Sequence, residues 1–464
     1  MNRIMTFAKL CAALPHGMVI GKAPPDAGFS SVCIDSRVCT AGALFVCLTG
    51  TARDGHQYAE DAFKAGAVAA LVEKAKLSGG ALQAAAEKYG ALLFAVDAPL
   101  RALQDAAKAY LEGFPHVLKI GITGSSGKTT VKEIAGAIIS CEKKVVMNKG
   151  NLNSETGLPL SAFEVRDEHE VGIFEMGMNR TGEIGELSRV LTPHIALITN
   201  IGEAHIGMLG SQEAIAAEKK AIFAGFTGGE TALIPSSDAF RDVLAHAVNG
   251  KVVLYDTVCP ATDLGLDGAE LELDGMRVRF PLPGAHNVKN ALAAVAIARE
   301  AGVTPSSIRK GLESVRPLFG RSEIIRGRVT LVQDCYNANP ESTAAAIEFC
   351  DGIAWKGRRI YVIGSMLELG ARSEAAHTRI ARLLASSRAD SIFLFGAETS
   401  IIAGMLKKRG KPERKTFFFT EDMTELSALL VPYVQEGDLV LLKGSRGCAL
   451  ERLAAALAEG ASAR

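Results

Sequence analysis

The sequence predicts an α/β protein of three domains, and three observations carry that expectation. At 464 residues the chain exceeds what one hydrophobic core organises, since domains usually hold about 100–200 residues. From Val117 onward, short apolar runs alternate with helical patterns, as strands and crossover helices of a largely parallel sheet do. A second alternating series starts near Val329 and has the length of a separate doubly wound unit. The expected division is 1–113, a small N-terminal α/β domain, then 114–315, a central domain with a parallel sheet, then 316–464, a Rossmann-like doubly wound domain.

The elements follow in order. Residues 1–13 read as an amphipathic helix with Ile4, Phe7, Ala8 and Cys11 on one face. Lys9 interrupts the apolar stretch, which therefore lacks the core of a signal peptide. Residues 44–48 and 67–72 read as strands, and 100–112 as a helix that stops short of Pro115, where a linker fits. Residues 117–122 form a buried-strand run, and 129–140 have helical spacing at Val131, Ile134, Ala135 and Ile138. Further strands are expected at 144–147, 171–174, 195–199, 232–234 and 252–255, with a hairpin at Asp274-Gly275. The C-terminal series places strands at 330–333, 360–363, 392–395, 416–420 and 439–442.

Composition narrows the function. Lys plus Arg and Asp plus Glu both number 51, so the basic surplus of a nucleic-acid binder is missing and no nucleic-acid partner is expected. No apolar run approaches the roughly 18–20 residues of a bilayer span. Nine cysteines without paired CxxC spacing fit a reducing compartment. The chain therefore reads as soluble and cytoplasmic.

The run from Gly121 to Thr130, Gly-Ile-Thr-Gly-Ser-Ser-Gly-Lys-Thr-Thr, follows a strand and opens a helix. Glycines there let backbone N–H groups converge on phosphate oxygens, Lys128 adds a point charge, and the Thr129 hydroxyl can hold Mg²⁺. The usual loop has glycine where Ile122 stands, so this is a shifted version that binds a nucleoside triphosphate. Glu175 ends an apolar strand, where a carboxylate can hold the metal bridging β- and γ-phosphates or merely close a turn. Asn200 and His205 follow the next strand, and His205 reads equally as a loop histidine. Asn290 opens an alanine-rich helix, where it either reaches an adenine or caps a turn. Arg321 and the Asp334–Pro340 run bracket the first strand of the last domain, and Lys443-Gly-Ser-Arg446 ends its last one. Ligands of doubly wound sheets sit beyond such strand ends, although helix capping is an alternative for each cluster.

In this order, Thr123–Thr129, Glu175, Asn200, His205, Asn290, Arg321, Asp334 and Lys443-Gly-Ser-Arg446 resemble the Mur ligases, ATP-dependent enzymes that extend the UDP-muramoyl peptide of bacterial peptidoglycan. The resemblance covers almost the whole chain. Within the family, Lys149–Glu155, Glu175-Met-Gly177, Tyr336–Pro340 and Met366–Gly370 are similar to the branch that adds D-alanyl-D-alanine. Ser154 departs from that branch, which has an Asn-like residue there. The branch that adds the third residue shares Asp35-Ser-Arg37 but would carry a Tyr-Ala-His-Thr-Pro-like run at 336–340 and an Asn-Pro-Arg-type clamp where Gly396–Ser400 stands. Folylpolyglutamate synthases resemble the ATPase core alone.

The resemblance implies a UDP-sugar domain, a central ATPase and a C-terminal domain that closes for catalysis. It implies Ser36 and Arg37 as UDP-sugar contacts, and Thr123, Gly124, Ser125, Ser126, Gly127, Lys128 and Thr129 around the ATP phosphates. Asn290, Arg321 and Asp334 would complete the nucleotide site. Two Mg²⁺ ions are implied, held by Thr129, Glu175, His205 and a carbamylated lysine at Lys219, with Lys220 as its alternative. Lys128, Glu175, His205 and Lys219 would then be catalytic. The reaction implied is ligation of D-alanyl-D-alanine to UDP-MurNAc-tripeptide through an acyl phosphate, by a monomer. Addition of the third residue, and a non-catalytic ATP-gated binding protein, are its rivals.

Overall fold

The computed structural model describes residues 3–24, 26–50, 53–256, 259–408 and 416–459. The N-terminal helix is Phe7–Ala13, capped where the Lys9 N–H donates to Thr6 Oγ1 at 3.2 Å. Its phase corrects the sequence expectation. Ile4 precedes the helix and Ala8 and Cys11 face solvent, while Phe7, Leu10 and the following Leu14 are buried. Thr6 decides this: starting the helix at Phe7 turns the i, i+3, i+7 stripe inward. Residues 1 and 2 of the expected helix lie outside the described residues.

The first sheet has five strands in the order Met18–Ile20, Leu92–Val96, Ala69–Glu73, Ala43–Val46, Ser31–Cys33. All neighbours are parallel except the edge strand Met18–Ile20. The helix Pro99–Leu111 leaves this sheet and packs on the next domain. Tyr110 Oη donates to Val165 O at 2.6 Å, and Arg189 Nη1 meets Asp105 Oδ1 at 2.7 Å.

The central sheet has six parallel strands, ordered Lys251–Tyr255, Thr231–Pro235, Ile195–Ile198, Leu118–Thr123, Val171–Glu175, Val145–Met147. Both faces are covered, which is why its inner strands read as unbroken apolar runs rather than alternating ones. The chain crosses from one side of Leu118–Thr123 to the other, so the loop after that strand is flanked by the ends of two neighbours, a position that favours ligands. The expected Asp274-Gly275 hairpin is present: both residues have positive φ (51° and 75°), and Leu273 pairs with Met276.

The helix Lys128–Ile139 buries Val131, Ile134, Ala135 and Ile138, as its spacing predicts, against helices Ala285–Glu300 and Pro305–Ser314. Gly311 makes the second contact possible, since a Cβ there would stand 2.3 Å from Ile138 Cα, a backbone atom with no rotamer to change. Gly311→Val is expected to destabilise the protein by about 1–3 kcal/mol or more through overpacking, read as a lower denaturation midpoint. An unchanged midpoint would show that the two helices separate without cost.

The last sheet runs Glu323–Arg326, Thr330–Asp334, Leu439–Lys443, Arg359–Gly364, Ser391–Phe395, Thr416–Thr420. Only Glu323–Arg326, which sequence reading did not find, is antiparallel. Asp334 and Lys443 are register partners at adjoining strand ends.

Candidate functional site

The C-terminal strand ends of the central and last sheets face each other across a cleft of about 670 Å³. The two domains touch beside it. A Cβ on Gly207 would lie 2.8 Å from Gly370 N, and His205 Nδ1 stands 3.6 Å from Glu368 Oε2.

The floor is the loop from Thr123 to Thr129. Ile122 belongs to the buried strand, which explains the shifted glycine pattern. Gly124 (φ 150°) and Gly127 (φ 80°) are required: a Cβ would stand 1.7 Å from Thr199 Oγ1 at the first and 2.4 Å from Asn290 Oδ1 at the second. Asn200 braces the loop, accepting from Ser126 N at 3.1 Å and donating to Ser126 Oγ at 2.9 Å. Thr199 Oγ1 donates to Ser126 O at 2.6 Å, and Ser125 Oγ accepts from Gly202 N at 2.8 Å. Thr123 is buried, its hydroxyl donating to Met176 O at 3.0 Å.

At the loop's end Thr129 Oγ1 donates to Glu175 Oε2 at 2.7 Å, and Arg321 Nη2 reaches over from the last domain to Thr129 Oγ1 at 3.0 Å. Asn153 Nδ2 donates to Glu175 Oε1 at 2.6 Å, while Asn148 Oδ1 accepts from Glu175 N at 2.9 Å. Lys128 Nζ rests on Gly124 O at 2.8 Å. Burial pushes its amine below the ordinary value, Glu175 opposing and Arg321 adding to the shift.

His205 has positive φ (63°) and is pushed down to about 4 by burial and by Lys128 and Lys219. It is neutral at neutral pH, so its contact with Glu368 is not an ion pair. Lys219 is 1% exposed, and its amine meets Met178 Sδ at 3.9 Å. Burial holds it well below the ordinary lysine value, Lys128 pushing the same way and Glu218 opposing. Glu218 is occupied by the N–H groups of Gly182 and Ile184, at 2.7 and 2.9 Å. Lys220 turns away to His246 O at 2.6 Å.

Asn290 lines the cleft beside Gly127 and donates to Asn287 Oδ1 at 3.2 Å. Asp334 is taken by Lys443 Nζ at 2.7 Å and by the Ser322 N–H at 3.2 Å, so it braces two strand ends. Arg321 also covers the Tyr336 ring at 4.1 Å.

Ser36 and Arg37 do not join this cleft. They form a short turn in the first domain, where Arg37 Nη2 pairs with Asp35 Oδ2 at 2.6 Å and holds that exposed carboxyl down to about 2. Asp54-Gly-His56, nearby in sequence, is an internal brace. His56 Nε2 accepts from the Glu73 N–H at 2.9 Å, which fixes the proton on Nδ1, 2.6 Å from Asp54 Oδ1.

Sequence reasoning missed Asn148, Asn153 and Thr199 as positioning residues. Thr199 does directly follow an apolar strand, a signal that could have found it. Asn148 and Asn153 sit in a loop that only the fold brings against Glu175.

A phosphate-loop cleft roofed by a second doubly wound domain defines a nucleotide-driven enzyme whose site is shared by two domains. Family models agree along the chain: the Mur ligase family catalytic domain matches residues 29–111, the Mur ligase middle domain 122–298 and the Mur ligase glutamate ligase domain 320–446. The chain belongs to the Mur ligase family. It is 44% identical, over 97% of its length and 98% of the relative's, to the UDP-N-acetylmuramoyl-tripeptide–D-alanyl-D-alanine ligase of Treponema pallidum (strain Nichols). Among solved structures it is similar to MurF from Acinetobacter baumannii, with TM-score 0.87 and 29% identity over 97% of this chain and 98% of that one. It is also similar to the MurF ligase of Thermotoga maritima in complex with ADP, with TM-score 0.78 and 25% identity over 92% and 96%.

Proposed function

We propose that this chain joins D-alanyl-D-alanine to UDP-MurNAc-tripeptide, forming ADP, phosphate and UDP-MurNAc-pentapeptide. The carrying observation is near full-length identity of 44% to a ligase of that name. The cleft's chemistry supports it. A carboxylate is a poor acylating agent, so its oxygen first attacks the γ-phosphorus of ATP and ADP leaves. The dipeptide amine then attacks the acyl carbon, phosphate leaves, and the amine's proton passes to solvent. Lys128, the loop N–H groups and Arg321 neutralise charge spreading over the transferred phosphoryl group. Closure of residues 316–464 over the loop of 114–315 shields the acyl phosphate from water. Residues 1–113, through Ser36 and Arg37, hold the UDP-sugar.

The donor set fits Mg²⁺. The Thr129 hydroxyl and Glu175 carboxylate are hard oxygen ligands already in contact, and His205 lines the same cleft. When bound, Mg²⁺ would neutralise phosphate charge as a Lewis acid. Lys219 fits carbamylation, because its amine is buried with no ion-pair partner among the described residues and is held well below the ordinary lysine value, which favours the neutral form that reacts with CO₂, and the resulting carboxylate would help to hold a second ion.

The enzyme acts as a cytoplasmic monomer. Among the described residues no helix is long and apolar enough to cross a membrane, and all nine cysteines are unpaired. The test is phosphate release from ATP and Mg²⁺. Release requiring both UDP-MurNAc-tripeptide and D-alanyl-D-alanine is expected. Release with a diamino acid and UDP-MurNAc-dipeptide would reassign the acceptor, and no release with any pair would leave a nucleotide-gated binding protein.

A further inference from the structure

Three cationic side chains line the cleft from the last domain, Arg321, Lys443 and Arg446, and their partners separate one from the others. Lys443 is 2% exposed and spent on Asp334 and on Asn337 O, at 2.7 and 2.9 Å. Arg321 is committed to Thr129. Arg446 instead lines the cleft with 57% of its side chain exposed, and among the described residues its one ion-pair partner is Glu451, whose Oε1 meets Nη1 at 2.9 Å. Two large apolar side chains stand exposed beside it. Phe319 lies with its ring centre 5.6 Å from the guanidinium carbon. Leu367 is fixed by its N–H to Ser445 Oγ at 2.9 Å, with its Cδ1 3.0 Å from where a Cβ on Gly447 would be.

We infer that Arg446 anchors the terminal carboxylate of the incoming dipeptide, while Phe319 and Leu367 wall its two methyl groups. This rests on the ligase reading above. A planar guanidinium with donors left over suits a carboxylate, which it can bind through two parallel N–H···O bonds. Reach agrees as well. The guanidinium carbons of Arg321 and Arg446 lie 4.1 and 5.9 Å from the centre of the same Tyr336 ring. Arg321 marks the phosphate loop, and a dipeptide spans at most about 7 Å. A dipeptide laid along Tyr336 therefore presents its amine towards the loop and its carboxylate to Arg446. Small alanyl methyls fit a wall of two apolar side chains that are otherwise left in water.

The experiment compares D-alanyl-D-alanine with D-alanyl-D-alaninamide, which lacks the carboxylate, at saturating ATP and UDP-MurNAc-tripeptide. The unaltered enzyme is expected to prefer the acid by about 10- to 100-fold in kcat/KM. Arg446→Gln should raise KM for the acid by a similar factor, keep kcat within about threefold and leave the amide unchanged, so that the preference disappears. Arg446→Lys should restore part of it, and Glu451→Gln, which frees the arginine without removing it, should retain it. ATP affinity like that of the unaltered enzyme verifies that the variants are folded. An acid–amide preference that survives in Arg446→Gln, or an equal loss for both substrates, overturns the assignment. If the unaltered enzyme turns over neither dipeptide, the ligase reading fails and the anchor with it.

Discussion

Lys128→Ala is expected to cut turnover by at least about 100- to 1,000-fold, the usual loss when one preorganised charge donor to a transition state is removed. Its affinity for the UDP-sugar nucleotide should stay within about twofold, because the contacts proposed for that ligand, Ser36 and Arg37, lie outside the cleft in a separate sheet-based domain. The size of the effect follows from the surroundings. Lys128 rests on the loop carbonyl of Gly124, and burial depresses its amine, Glu175 opposing. Its charged form is therefore disfavoured, a cost that a bound phosphate chain would offset. Lys128→Arg should not rescue activity, since a planar guanidinium does not fit where a compact ammonium rests on Gly124 O. Phosphate release in a single turnover, together with titration of the UDP-sugar nucleotide by fluorescence, checks both halves. Turnover near that of the unaltered enzyme would remove the loop from the phosphate site.

Legibility tracked burial in the fold and proximity in the site. The strands Leu118–Thr123, Val171–Glu175 and Leu439–Lys443 were readable because covered parallel strands are apolar throughout. The edge strands Met18–Ile20 and Glu323–Arg326 carry no such signal, for they are half in water. The N-terminal helix was found with its face misassigned, because its cap, not its composition, sets the phase. In the cleft, the loop and its strand-end neighbours Glu175 and Asn200 announce themselves locally. The contacts of Arg321 with Thr129 and of Lys443 with Asp334 do not, since they join distant segments through sheet register and domain packing. Lys219 and Lys220 are likewise alike in the sequence, and only the fold separates them: the first is buried against Met178 and the second reaches His246 O.

Lys219→Met should therefore separate function from stability. Turnover is expected to fall by at least about 10- to 100-fold, as for loss of a group that supports a metal site. The protein itself should become more stable near pH 7, by at least about 1 kcal/mol, since an amine buried without a matching acceptor is replaced by an apolar side chain of similar length. The sign of the pH dependence follows from the depressed lysine. Its pKa in the folded chain lies well below the 10.5 of an exposed lysine. Between those two values the unfolded chain binds a proton that the folded chain does not, so stability climbs with pH through that window. As pH falls through the folded value this contribution is lost, because the charge must then be carried inside the protein. Lys219→Met lacks the group, so its stability advantage over the unaltered protein should shrink steadily as pH rises towards 10.5. Denaturant unfolding of both proteins from pH 7 to pH 10, in magnesium-free buffer stripped of CO₂, measures this difference directly. Parallel curves, or a variant less stable at pH 7, would mean that the amine has a partner that offsets its burial. Bicarbonate and Mg²⁺ added at pH 8 should narrow the gap if Lys219 is the carbamate site proposed above, and a gap they leave unchanged would remove that proposal.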